Sequence, residues 1–177
     1  MKKVAFAAAV AACLATPAFA QDNAGATFTG FRVEAIVGYD NIGISGIKNP
    51  DGVVYGIGAG YDFAAGGVVL GVEAEASDST AKVKLVGPDL VAARDLYAGG
   101  RIGTVVGNGL LYGKVGYTNA RTKVKGLGGA NGDGVRAGLG YELPFGSQTF
   151  AKVEYRYSNY EAGISRNQVV AGFGVRF

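Results

Sequence analysis

Asp95-Leu-Tyr-Ala-Gly-Gly-Arg-Ile-Gly103 and, six residues later, Leu110-Leu-Tyr-Gly-Lys-Val-Gly-Tyr-Thr118 decide the fold. In both stretches every second residue is apolar or small: Leu96, Ala98, Gly100 and Ile102, then Leu111, Gly113, Val115 and Tyr117. The charges, Asp95, Arg101 and Lys114, all fall on the other parity. A period of two belongs to a strand, and a strand sorted this way separates two environments.

Six more runs share the pattern: Phe31 to Tyr39, Val53 to Phe63, Val68 to Ala76, Val135 to Leu143, Phe150 to Ser158 and Gln168 to Phe177. Across the eight runs one face carries no charge. The other carries seven acids, Glu34, Asp62, Glu73, Glu75, Asp95, Glu142 and Glu154, and seven bases, Arg32, Arg101, Lys114, Arg136, Lys152, Arg156 and Arg176. Lipid demands such sorting, since Lys or Arg facing the bilayer midplane costs about 2–4 kcal/mol. Connections alternate as well. Asn41 to Gly52, Ser77 to Arg94 and Asn119 to Gly134 are long and polar, and Asn159 to Asn167 is intermediate. Ala64 to Gly67, Thr104 to Gly109 and Pro144 to Thr149, with its Pro-Phe-Gly turn, are short. The expected fold is all-β: an eight-stranded antiparallel up-and-down transmembrane β-barrel, long connections outside the cell and tight turns inside. Closure leaves no unpaired backbone edge in lipid. The fourth strand is the least defined, because Lys82 to Val86 can extend a strand above the membrane.

Aromatics on the apolar face fall at two heights, Tyr39, Tyr55, Tyr117, Tyr155 and Tyr157 toward the long connections, and Phe31, Tyr61, Phe63, Tyr141, Phe173 and Phe177 toward the short turns. They read as two interfacial girdles. Twelve glycines share the charged face, where an eight-stranded interior is narrow and space for Arg, Lys and Glu must come from neighbours without side chains. Seven charges against seven suggest a lumen closed by ion pairs, because an unpaired charge there is costly.

The chain has 177 residues, 31 Gly, one Cys and no His, with 49% hydrophobic and 18% charged residues. Without His there is no Ser-His-Asp or Cys-His nucleophile, no imidazole base and no His-bound zinc. Gly109 to Lys114 has three residues between its glycines where a phosphate-binding loop has four, and Gly56, Gly58 and Gly60 lie within a strand. Glu73 and Glu75 have the spacing of a catalytic carboxylate pair, against which stands their place among the lumen charges. Asn49 to Gly52 and Asn131 to Gly134 resemble turns; neither has the ligand spacing of a calcium loop. No cofactor or metal is expected, and no catalytic activity. Lys82, Lys84, Arg121, Lys123 and Lys125 make two outer loops basic, either as solvated tips or as contacts for lipopolysaccharide or a host polyanion.

Residues 1–20 read as a signal peptide, with Lys2 and Lys3, an apolar run from Val4 to Leu14, and Ala18-Phe19-Ala20 as the cleavage site. An alternative is a lipid-modified Cys13. With cleavage after Ala20, residues 21–177 form the barrel domain, without a thiol and with a net charge near zero, which suggests no nucleic-acid partner.

Asp95 to Gly103, Leu110 to Tyr117, Lys152-Val-Glu-Tyr-Arg-Tyr-Ser-Asn-Tyr160 and Gly172-Phe-Gly-Val-Arg-Phe177 together resemble the porin-family or opacity-like small outer-membrane antigens, themselves similar to the transmembrane domain of OmpA. The resemblance implies a Gram-negative outer membrane and a C-terminal signal, Phe173, Val175 and Phe177, read by the barrel-assembly machinery. A chain ending at the eighth strand is expected to lack a peptidoglycan-binding domain. The expected role is structural or adhesive: envelope integrity, or binding of host or envelope ligands, lipopolysaccharide included, through the outer loops. The alternative is a small channel for ions or solutes.

Overall fold

A computed structural model describes residues 27–44, 51–83, 90–124, 128–161 and 164–177. The strand elements are β1 (Gly30–Ile44), β2 (Asp51–Ala65), β3 (Val68–Ser79), β4 (Lys82–Val83), β5 (Leu90–Val106), β6 (Gly109–Val124), β7 (Gly128–Phe145), β8 (Thr149–Tyr160) and β9 (Ile164–Arg176). Neighbours in sequence other than β3 and β4 pair antiparallel, β3 pairs with β5, and β1 pairs with β9 from Arg32↔Arg176 to Ile44↔Ile164. That last ladder closes the sheet into an eight-stranded barrel. β4 is the two-residue extension of the third wall, meeting β5 at Lys82↔Val91 and Val83↔Leu90. Residues 84–86 of the Lys82 to Val86 run lie outside the described residues.

The register sorts the faces as the alternation requires. Ile57, Leu139, Val153 and Phe173 point outward and are exposed, while Arg32, Arg136 and Arg156 point inward and are fully buried. A shallow apolar groove of about 960 Å³ crosses the outward face, where Ala35, Ala59, Ala74 and Ala98 stand between Leu96 and Phe173; it lies on the lipid side of the wall. Inside, glycines make room for neighbours. A Cβ on Gly60 would come within 3.0 Å of the Arg32 guanidinium, one on Gly172 within 2.9 Å of Lys152, and one on Gly140 within 2.5 Å of the Tyr112 ring. Lumen glycines therefore house aromatic rings as well as charges.

At the short-turn end, Ala65 to Val68 closes through Gly66 and Gly67, both with positive φ (58° and 87°), the conformation a two-residue hairpin of primed type needs. The turn expected over Pro144 to Thr149 is tighter than its sequence suggests. Pro144 and Phe145 remain in β7, and Gly146 to Gln148 make the turn.

The other end departs further from expectation. Every strand runs two to seven residues beyond its apolar alternation, so much of the expected loop sequence is hairpin. Asn131 to Gly134, read as a turn, is paired strand against Arg121 to Thr118, and Asp51 and Gly52 belong to β2. The cause is solvent. Once a wall rises above the lipid, its outer face no longer has to be apolar, and the period-two signal fades while backbone pairing continues.

Candidate functional site

Among the described residues, charged side chains converge in the lumen. All fourteen charges assigned to it lie buried on inward-facing positions. The structure adds Asp40, which stands between the first run and the first long connection, and Arg166, which falls in a stretch read as loop; both are buried. Among the described residues the buried charges are therefore eight acids and eight bases. Simple parity would have found the added pair, since Asp40 continues Arg32, Glu34, Ile36 and Gly38, and Arg166 precedes Gln168 by two.

Three tiers stack along the barrel. At the short-turn end, Arg101 holds Asp62 with two bonds (Nε to Oδ1 2.8 Å, Nη2 to Oδ2 2.7 Å) and reaches Glu142 at 3.0 Å. Arg176 joins the same two acids at 2.8 and 2.6 Å, and Arg32 adds a fourth bond to Asp62 at 3.0 Å. In the middle, Lys114 bridges Glu73 (2.7 Å) and Glu154 (2.9 Å), and Lys152 bridges Glu34 (2.7 Å) and Glu154 (3.4 Å). Arg156 grips Glu75 with both terminal nitrogens at 2.7 Å and turns Nε to Glu154. Arg32 ties this tier to the lower one through Glu34 and Glu73. At the long-connection end, Arg166 spans Asp40 and Asp95, and Asp95 also accepts from Arg136, Thr118 and Tyr160. Arg136 meets Glu75 only at 3.6 Å, the longest link in the column.

The sixteen side chains form one connected network in which each base touches at least two acids. Multiple donors per carboxylate are what a buried charge requires to offset desolvation. Aromatic faces add to this: Lys114 and Arg136 lie over the Tyr97 ring at 4.6 and 5.3 Å, and Arg101 over Tyr112 at 4.9 Å. Glu73 and Glu75 both belong to the network through Arg and Lys partners, so neither is left as a free acid or base. No group of three or more His, Cys, Asp or Glu among the described residues is arranged to hold a metal.

Outside the lumen, the hairpins carry polar outward faces above the tyrosine girdle. Asn119 donates to Asp133 at 2.6 Å and Asn41 to Asp51 at 2.6 Å. The Tyr117 hydroxyl and the Asn119 amide both donate to Asp133 and hold its carboxyl below the usual range. Arg94 and Arg121 are exposed. Phe173 and Phe177 of the C-terminal triplet are exposed on the outward face, and Val175 is half-buried. Ala18 and Ala20, Cys13, and the basic residues Lys84 and Lys125 lie outside the described residues.

The family described as "Outer membrane protein beta-barrel domain" matches residues 6–177. No curated protein matches the chain in sequence. Among solved structures, Neisserial surface protein A (NspA) is similar with a TM-score of 0.62 and 16% identity, over 84% of this chain and 98% of that one. The attachment invasion locus protein Ail of Yersinia pestis follows with a TM-score of 0.58 and 15% identity, over 84% of this chain and 99% of that one. Ail in complex with the heparin analogue sucrose octasulfate gives 0.56 and 16%, over 84% and 99%. At these identities the likeness is one of fold.

Proposed function

The chain belongs to the outer membrane protein β-barrel domain family, and from that premise we propose that it is a non-enzymatic surface protein that works through its outer hairpins. Its lumen is a structural strut, and its roles are envelope integrity and adhesion. Export uses a signal peptide cleaved after Ala20, insertion uses the barrel-assembly machinery acting on Phe173, Val175 and Phe177, and the short turns face the periplasm.

One observation carries the strut: eight acids and eight bases are joined in a single buried network that reaches from Asp40 and Arg166 at one end to Arg176 and Glu142 at the other. A column of paired charges with glycine-packed side chains leaves a solute little to displace water from, which favours the strut over the channel. Adhesion rests on the hairpins. Arg94 and Arg121 are exposed there, and the sequence adds Lys82, Lys84, Lys123 and Lys125. Such a surface suits a sulfated polysaccharide or the phosphates of lipopolysaccharide, and Ail has been solved with a heparin analogue.

Two measurements test this. Cells expressing the protein should bind immobilised heparin, host matrix or lipopolysaccharide, and lose binding when the four outer hairpins are trimmed; equal binding before and after trimming rejects adhesion. Purified protein in planar bilayers should stay silent, and steady discrete openings would replace the strut with the channel.

A further inference from the structure

Phe28 precedes the first strand, yet it is only 3% exposed. It packs on Val69, Leu110 and Tyr112, with Val105 alongside. These side chains belong to β3, β5 and β6, and in the circular order β1-β2-β3-β5-β6-β7-β8-β9 the wall opposite β1 is β6. The chain before β1 therefore crosses the whole short-turn mouth and delivers an aromatic ring to the far side, beneath the tier of Arg101, Asp62 and Glu142.

The crossing is fastened on the side where the barrel closes. Arg176 Nη1 donates to the Phe28 carbonyl at 2.7 Å, while Phe177 N–H donates to the Phe31 carbonyl at 2.8 Å. Between them Gly30 has φ 110°, and a Cβ there would run into the Phe177 carbonyl. Only glycine combines that turn with that approach. Both fastenings are made to the last strand, so they do not exist until β9 has met β1.

We infer that Thr27 to Gly30 form a strap that seats Phe28 as a stopper in the short-turn mouth, and that its latch to Arg176 and Phe177 makes sealing of the lumen and closure of the barrel one event. The stopper puts an apolar floor under the ion-paired column, which keeps water from the lowest tier. It is independent of what the outer hairpins bind.

The chain contains no Trp, so Phe28→Trp introduces a single fluorescent reporter. In the folded barrel the indole should emit to the blue and resist acrylamide several-fold better than in urea. During refolding into vesicles its signal should develop at the same rate as the gel-mobility shift of the closed barrel. An indole quenched as readily as in urea overturns the stopper, and an indole signal developing in a phase separate from the mobility shift overturns the coupling. A second arm uses Val69→Cys in a Cys13→Ser background, labelled by a small charged thiol reagent in detergent. Labelling follows the open population, so adding Phe28→Ala, or Gly30→Val, which keeps the ring but dislodges the strap, should each speed labelling roughly tenfold or more. Equal rates with and without these changes, in barrels that still shift on boiling, reject the seal.

Discussion

Replacing Arg156 with Met should be among the most damaging single changes in the lumen. Arg156 has a fully buried side chain, binds both oxygens of Glu75 at 2.7 Å and also meets Glu154. The two acids fare differently once it is gone. Glu154 keeps Lys114 at 2.9 Å, Lys152 at 3.4 Å and the Tyr112 hydroxyl at 2.6 Å. Glu75 keeps only Arg136, at 3.6 Å. Stranding one buried carboxylate costs about 3–5 kcal/mol, and nearly all of that falls on Glu75. The double change Arg156→Met with Glu75→Met removes the stranded charge and should return to within about 1 kcal/mol of the parent, because a well-packed apolar pair of similar volume often matches a buried ion pair. Equilibrium urea unfolding of protein refolded into lipid vesicles, read by loss of the heat-modifiable band, measures all three. The loss should also change little between about 0.1 and 1 M salt, since a desolvated pair is weakly screened. A cost below about 1 kcal/mol, the range of exposed pairs, or a double variant as weak as the single one, would mean that the lumen is wet and the strut does not exist.

Three further outcomes follow from the same geometry. Gly140→Ala places a methyl 2.5 Å from the Tyr112 ring and should cost about 1–3 kcal/mol in the same assay, whereas Gly132→Ala, with nothing within 4 Å, should cost almost nothing. Leu139→Arg puts a cation on an outward position 59% exposed and far from either end of β7, and should lose about 2–4 kcal/mol if lipid covers that face; a neutral result in vesicles would contradict the membrane span. The Asp133 carboxyl titrates below the usual range, first because Tyr117 donates to it. Tyr117→Phe should therefore raise the titration midpoint of Asp133 in carboxyl NMR, so that the carboxylate gains its proton at a higher pH than in the parent.

Which faces are wet and which are not was legible in the sequence, because lipid enforces it residue by residue. Phe31 to Tyr39 and Leu110 to Thr118 show that plainly. Where the constraint ends, the signal ends with it. Asp40 follows Tyr39 directly, and the last outward aromatic marks the top of the lipid, so the strand that continues to Ile44 has no apolar partner face to announce it. Arg166 was hidden for the same reason at the start of β9. Pairing was illegible for a different reason. Arg32 and Glu73 are 41 residues apart and Lys152 and Glu34 are 118 apart, and their meeting depends on barrel diameter and strand stagger, which alternation does not encode. The inward aromatics Tyr97 and Tyr112 look like any strand tyrosine until Gly116 and Gly140 on neighbouring strands are seen to leave space for them.

The added pair also changes how the column works. With seven acids and seven bases the network would end at Asp95 and Arg136, below the outer mouth. Arg166 carries it on to Asp40, joining β9 to β1 at the outer end, as Arg176 and Asp62 join β9 to β2 at the inner end. β9 thus holds ion pairs near both of its ends, across the one seam whose strands are most distant in sequence. Loop-closure entropy makes that seam the most expensive ladder to form. Charge pairs placed there stabilise what the hairpin turns elsewhere stabilise by proximity. Cutting the outer pair with Arg166→Met should consequently speed opening at the β1–β9 ladder more than at β6–β7, and hydrogen exchange of Asn41 and Gly43 compared with Thr118 and Ala120 would read the difference. Uniform acceleration around the barrel would show that the network acts only as filler.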